Sequence, residues 1–158
     1  MNTTGRYNTS TGASSLNSNT TGLRNTANGA DALNKNTDGG SNTASGYQAL
    51  YSNTSGYSNT AEGVSALYLN TTGNSNVAVG MSALSTNTTG SMNTGTGRNA
   101  LLYKDAGERN TAAGFSALVN TYGANNTGIG AEALRSNNTG KDNVCPRRFS
   151  RVCIPWHR

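Results

Sequence analysis

Leucine returns at Leu16, Leu33, Leu50, Leu67, Leu84, Leu101, Leu118 and Leu134, every step being seventeen residues except the last, which is sixteen. Glycine keeps the same beat in two columns. One is Gly12, Gly29, Gly46, Gly63, Gly80, Gly97, Gly114 and Gly130; the other is Gly5, Gly22, Gly39, Gly56, Gly73, Gly90, Gly107, Gly123 and Gly140. An asparagine column runs beside them through Asn8, Asn25, Asn42, Asn59, Asn76, Asn93, Asn110 and Asn126, and on to Asn143. The unit is N-T-T-G-x-x-N-T-A-x-G-x-x-A-L-x-x. A period of this kind confines the chain to stacked architectures, because one unit has too few apolar groups to close a core and must bury them against its neighbours.

Composition agrees with a stack and disfavours a conventional globular core, since 33% of the 158 residues are apolar and only 6% aromatic. So much Asn, Thr, Ser and Gly argues for disorder in an aperiodic chain, which cannot bury enough surface to offset its ordering entropy. The strict register of Leu, Ala and Gly argues the other way, because a linker has no use for it.

Helix is opposed by two glycine columns per unit with Asn and Thr between them, and the Ala-Leu pair is too short to sustain a helix by itself. The pattern predicts an all-β fold, a β-solenoid or β-roll of 17-residue coils over residues 2–143, with strands at N-T-A-x-G and x-x-A-L. Turns fall at N-T-T-G, where Asn and Gly tolerate left-handed backbone. The column Ser10, Ala27, Ala44, Ala61, Ala78, Gly95, Ala112 and Gly128 is always small and is expected inside. Its neighbour Thr11, Asn28, Ser45, Glu62, Val79, Thr96, Ala113 and Ile129 ranges from acid to aliphatic and is expected outside, the period-two signature of a strand. The eight leucines form the expected core, and the asparagines from Asn8 to Asn126 an amide ladder along the axis. One Leu per coil is a thin core, and small columns permit close approach, so side-by-side association of identical chains, a trimer by preference, is expected.

In NTSGYSNTAEGVSALYLNTTGNSNVAVGMSAL, residues 53–84, the unit resembles the Asn-Thr-Gly-Ala-Leu repeats of phage tail fibres and bacterial surface fibres. It is also similar to the head repeats of trimeric autotransporter adhesins, whose A-x-G-x-x-A core is matched by Ala44 to Ala49, although those heads use a shorter period. The resemblance implies a trimeric, β-rich extracellular fibre on a virion tail or cell surface, with a cell-surface glycan or receptor as partner.

Residues 144–158 have a different composition: CPRRFSRVCIPWHR carries both Cys, both Pro, the sole Trp and the sole His. Residues 1–143 hold eight Lys or Arg against seven Asp or Glu, so most of the +5 net charge comes from Arg147, Arg148, Arg151 and Arg158. The tail reads as a cap or a non-native end. No basic stripe follows the repeats, so nucleic acid is not an expected partner. Nor is membrane insertion expected, because no stretch approaches the ~20 apolar residues of a span. MNTTGRYNTS lacks a secretory signal pattern and enters the repeat at once, which points to export by another route, as in a virion, or to a piece of a longer protein.

Candidate chemistry is sparse. Cys145 and Cys153 can close a small disulfide loop; a metal would need His157 as third ligand and finds no fourth. A lone His at the chain end is a poorly held base, and Glu62, Asp105, Glu108 and Glu132 fall in variable or degenerate positions, so neither catalysis nor a cofactor is expected. GTGRNA from Gly95 and GIGAEA from Gly128 match G-x-G-x-x-A, yet the repeat itself accounts for both. Sequons at Asn2, Asn8, Asn19, Asn53, Asn70, Asn87, Asn125 and Asn137 are read as by-products of an Asn-Thr-rich turn. Three functions remain. The first is a fibre module with adhesion through exposed columns that include Tyr47, Tyr51, Tyr57, Tyr68 and Tyr122. The second is a self-assembling filament joined through uncapped coil edges. The third is an ice- or surface-binding solenoid using the row Thr9, Thr26, Thr43, Thr60, Thr94, Thr111 and Thr127.

Overall fold

The computed structural model describes residues 3–103, 107–146 and 154–155. Among them the chain is all-β, a solenoid in which each coil contributes one three-residue strand. These are β1 (Thr9–Thr11), β2 (Thr26–Asn28), β3 (Thr43–Ser45), β4 (Thr60–Glu62), β5 (Val77–Val79), β6 (Thr94–Thr96), β7 (Thr111–Ala113), β8 (Thr127–Ile129) and β9 (Asn143–Cys145). They form one parallel sheet in chain order, with Ala27 opposite Ala44 and Ala44 opposite Ala61. The shortened last step keeps the register, Thr111 facing Thr127. β9 straddles residue 143 and carries the register on to Cys145, which faces Gly128. β10 (Ile154–Pro155) then pairs antiparallel to β9 and covers that edge.

The second strand expected at x-x-A-L is absent from the described coils. There the backbone turns: each column leucine has φ between 49 and 52°, and the residue two before it, such as Asp31 (56°) or Ser65 (54°), is left-handed as well. Hydrogen bonds to the adjacent coils hold this path. Leu33 N–H donates to Ala49 O at 3.0 Å and Asp31 N–H to Ala13 O at 2.9 Å, and the pattern repeats along the rod. Left-handed backbone costs an L-residue roughly 1–2 kcal/mol and is worst for β-branched side chains. Of the 25 non-glycine residues at positive φ among the described residues, none is Val, Ile or Thr. That is why the core column is Leu rather than Ile.

The glycine columns are needed for different reasons. Gly29, Gly46 and Gly63 sit at φ of 137, 134 and 133°, and a Cβ on Gly46 would lie 2.6 Å from Gly63 O in the next coil. The N-T-T-G glycines, expected to be left-handed, are not. Theirs is a problem of space: a Cβ on Gly39 would stand 2.5 Å from Asn36 Oδ1 and 2.6 Å from Gly56 O.

Leu33, Leu50, Leu67, Leu84, Leu101 and Leu118 are completely buried, with Leu16 and Leu134 slightly open at the two ends. From Ala27 onward the small column lies inside the same chain against these leucines; Ser10, expected inside with it, is exposed because the first coil has no coil before it to cover its strand. The Ala and Gly side chains expected to let neighbouring chains approach are therefore already used within one coil stack.

Candidate functional site

The asparagine ladder exists and is more than a row of stacked amides. Asn25 Oδ1 accepts from Asn42 N–H at 3.0 Å while Asn25 Nδ2 donates to Gly39 O at 2.8 Å. Asn42 repeats both bonds one coil on, with Asn59 N–H (2.9 Å) and Gly56 O (2.8 Å). From Asn59 onward Nδ2 also reaches the preceding Oδ1, at 3.2 Å for Asn59, Asn76, Asn93 and Asn110. Asn25 through Asn126 are buried, and Asn8, at the first coil, donates to Gly22 O and accepts from Asn25 N–H.

A second ladder stands where only a turn was expected. Asn36 Nδ2 donates to Asn19 Oδ1 at 2.7 Å, Asn53 to Asn36 at 2.8 Å, Asn70 to Asn53 at 2.9 Å and Asn87 to Asn70 at 3.1 Å. Each of these amides also donates to the glycine carbonyl three residues on, so Gly39 O accepts from both Asn25 and Asn36, and Gly56 O from both Asn42 and Asn53. The two ladders meet at that carbonyl. The same period that marked the first ladder marks this one, but an Asn and a Gly at the two ends of a four-residue stretch also read as a turn, and turn chemistry masked the signal. The threonines that follow are structural too: Thr20, Thr37, Thr54 and Thr71 hydroxyls donate to the carbonyls of Thr37, Thr54, Thr71 and Thr88. Sequons Asn19, Asn53, Asn70 and Asn87 are thus buried and hydrogen-bonded, whereas Asn125 is exposed.

The glycine motifs that resemble a phosphate loop are otherwise engaged. Gly95 and Gly128 point into the core, a Cβ on Gly95 meeting Leu84 Cδ1 at 3.5 Å. The Gly97 and Gly130 N–H groups that a phosphate would need donate instead to Val79 and Ala113 carbonyls, both at 2.7 Å. Among the described residues no cluster of three His, Cys, Asp or Glu is gathered and no helix is long and apolar enough to cross a membrane. Glu132 pairs with Arg135 at 3.2 Å on the surface, a contact worth little in high dielectric. Cys145 is buried in the small interior column; Cys153, Trp156, His157, Asp105 and the tail arginines lie outside the described residues.

Three outward faces remain. The threonine row lies on the sheet in register, Thr26 opposite Thr43 and Thr43 opposite Thr60, interrupted by Val77. After the strand, a corner column carries Tyr47, Val64, Met81 and Phe115, each between 41 and 51% exposed, an apolar edge broken by Arg98. On a third column Tyr51 and Tyr68 stack on each other, ring centroids 5.3 Å apart, and Lys35 Nζ stands 5.0 Å from the Tyr51 ring. Those ring faces are taken up by packing, which removes Tyr51 from the candidates for stacking on a sugar. Comparison with protein-family models, with curated proteins and with solved structures finds no match to this chain.

Proposed function

We propose that the protein is a structural fibre module, a shaft of a phage tail fibre or bacterial surface adhesin that extends or presents a receptor-binding tip at a virion tail or cell surface. The observation that carries this reading is the commitment of the interior: leucines, small residues and both amide columns all join one coil to the next, and what repetition adds is length. Nine strands spaced by about 4.8 Å make a rod of roughly 40 Å. Lateral association into a homotrimer is supported by the corner column Tyr47, Val64, Met81 and Phe115, an apolar edge of the kind that marks interfaces. The exposed columns that vary between copies are the surfaces for direct adhesion.

Native mass measurement with light scattering tests the assembly. The expected result is one species of three times the 16.3 kDa chain mass; a monomer at all concentrations, or open-ended polymers, would overturn the trimer. A second reading, contact with ice or another ordered surface, is favoured by the in-register threonine row, and thermal hysteresis of a monomeric chain would support it over the shaft.

A further inference from the structure

Copies of the repeat differ most on the outside of the coils, and several of their differences converge at one place. The outward column that runs Arg6, Leu23, Gly40, Tyr57, Asn74, Ser91 lacks a side chain only at Gly40. Gly40 is not left-handed, but it is buried, and a Cβ there would stand 3.0 Å from Leu23 O. At this glycine lies a notch, a cleft of about 390 Å³ with Leu23 and Tyr57 on the coils to either side and Thr21, Arg24, Asp38 and Ser41 around it. Tyr57 leans across it, its Cε1 3.3 Å from the place a Cβ on Gly40 would occupy.

The polar groups are equally particular. Asp38 is the one acid in a column that elsewhere reads Thr4, Thr21, Ser55, Thr72, Thr89, Ala106, Tyr122 and Thr139. Its carboxylate accepts from the Thr37 hydroxyl at 3.2 Å, and although Arg24 lines the same cleft, the ion pair recorded among the described residues is Glu132 with Arg135, not Arg24 with Asp38. The cleft therefore offers an acceptor, a guanidinium donor and two hydroxyls between an aromatic and an aliphatic wall. An apolar ligand would desolvate both charges without replacing their hydrogen bonds, and an anion would meet the Asp38 carboxylate. A ring with adjacent hydroxyls along one edge and a C–H face for Tyr57 satisfies every group, and the volume lies at the small end of the roughly 300–1,000 Å³ range of ligand sites.

We propose that the Gly40 notch binds one neutral pyranose unit of a saccharide, with Asp38 and Arg24 holding its hydroxyls and Tyr57 and Leu23 its apolar faces. The assignment rests on the surface-contact part of the proposed function and is independent of lateral association. It is tested by amide NMR of the full chain titrated with the methyl pyranosides of glucose, galactose, mannose and N-acetylglucosamine, and with methyl glucuronide. At least one neutral pyranoside is expected to give saturable, millimolar shifts at the Gly40, Ser41 and Tyr57 amides. Gly40→Asn, which places in the notch the residue that Asn74 carries in the same column, and Asp38→Thr, the repeat's own consensus, are each expected to weaken binding about tenfold or more while the circular dichroism stays that of the parent. Neutral pyranosides that leave those amides unmoved, shifts that survive Gly40→Asn, or tighter binding of methyl glucuronide than of every neutral sugar would overturn the assignment. Because binding is read residue by residue and assembly by mass, either can fail without the other.

Discussion

Asn53 Nδ2 donates to Asn36 Oδ1 at 2.8 Å and to Gly56 O at 3.2 Å, so one buried side-chain amide ties its coil to the preceding coil and closes its own turn. Asn53 Oδ1 accepts in turn from Asn70 Nδ2 at 2.9 Å. Removing it leaves Asn36 Oδ1 and one Asn70 side-chain N–H unmatched, while Gly56 O keeps its bond from Asn42. Asn53→Ala should therefore destabilise the solenoid by about 3 kcal/mol, given roughly 1–3 kcal/mol for each buried polar group left unsatisfied. The fall in the urea midpoint measures it, against an exposed control such as Asn28→Ala that should shift little.

Leu67 combines complete burial with φ of 51°. Leu67→Ile conserves volume and would ordinarily cost under about 1.5 kcal/mol. Here the β-branch meets left-handed backbone, and the expected loss is about 2–3 kcal/mol. Leu67→Met, with similar volume and no branch at Cβ, should lose clearly less in the same denaturation experiment.

Glycines of different columns should respond differently. Gly63 is at φ of 133°, and a Cβ there would fall 2.7 Å from the Gly80 carbonyl carbon; Gly63→Ala is expected to cost at least about 3 kcal/mol. Gly40 is buried without positive φ, and a Cβ there would stand 3.0 Å from Leu23 O and 3.3 Å from Tyr57 Cε1, the end of a side chain that can swing away; Gly40→Asn should therefore cost about 1–2 kcal/mol, clearly less than Gly63→Ala. Thermal unfolding of the two variants side by side checks the contrast.

The second ladder is interrupted, and its break is visible in the atoms beside it. Among the described residues, the buried side-chain oxygens without a partner are Asn87 Oδ1 and Thr121 Oγ1. Seventeen residues after Asn87 the column reads Lys104 instead of Asn, and the coil after that is the one shortened to sixteen. Lys104 lies outside the described residues; Lys104→Asn, which restores the repeat's own residue at that position, is expected to stabilise the protein by about 1 kcal/mol, read as a rise in the denaturation midpoint.

Much of this architecture was legible in the residues, for physical reasons that also explain what was missed. A column that must be small, Ala27 through Gly128, and one that must be Leu declare burial directly, and both are buried. Asn8 through Asn126 declared a ladder because nothing else explained an invariant amide beside a strand. Asn19, Asn36, Asn53, Asn70 and Asn87 were hidden by their glycine neighbours, since Asn-x-x-Gly satisfies a turn rule and a stacking rule at once. The stretch ending in Leu was expected as a strand, yet Ala66 and Leu67 are buried side by side, and left-handed Ser65 and Leu67 alternating with ordinary residues bend the chain there. Only the refusal of Val, Ile and Thr at Asp31, Leu33 and their equivalents distinguishes the cases. The Gly40 notch was not legible at all: it depends on which columns become neighbours across coils, and no single repeat contains it.

The central claim is that two rows of buried asparagine amides, joined at the Gly22-type carbonyls, fasten each coil to the next. Hydrogen exchange of the asparagine side-chain N–H groups, followed by NMR, tests it most directly. Asn36, Asn53 and Asn70 in one row and Asn42, Asn59 and Asn76 in the other should exchange orders of magnitude more slowly than the exposed Asn28, with protection weakening towards the interruption after Asn87. Side-chain protons in either row that exchange as fast as those of Asn28 would contradict the account.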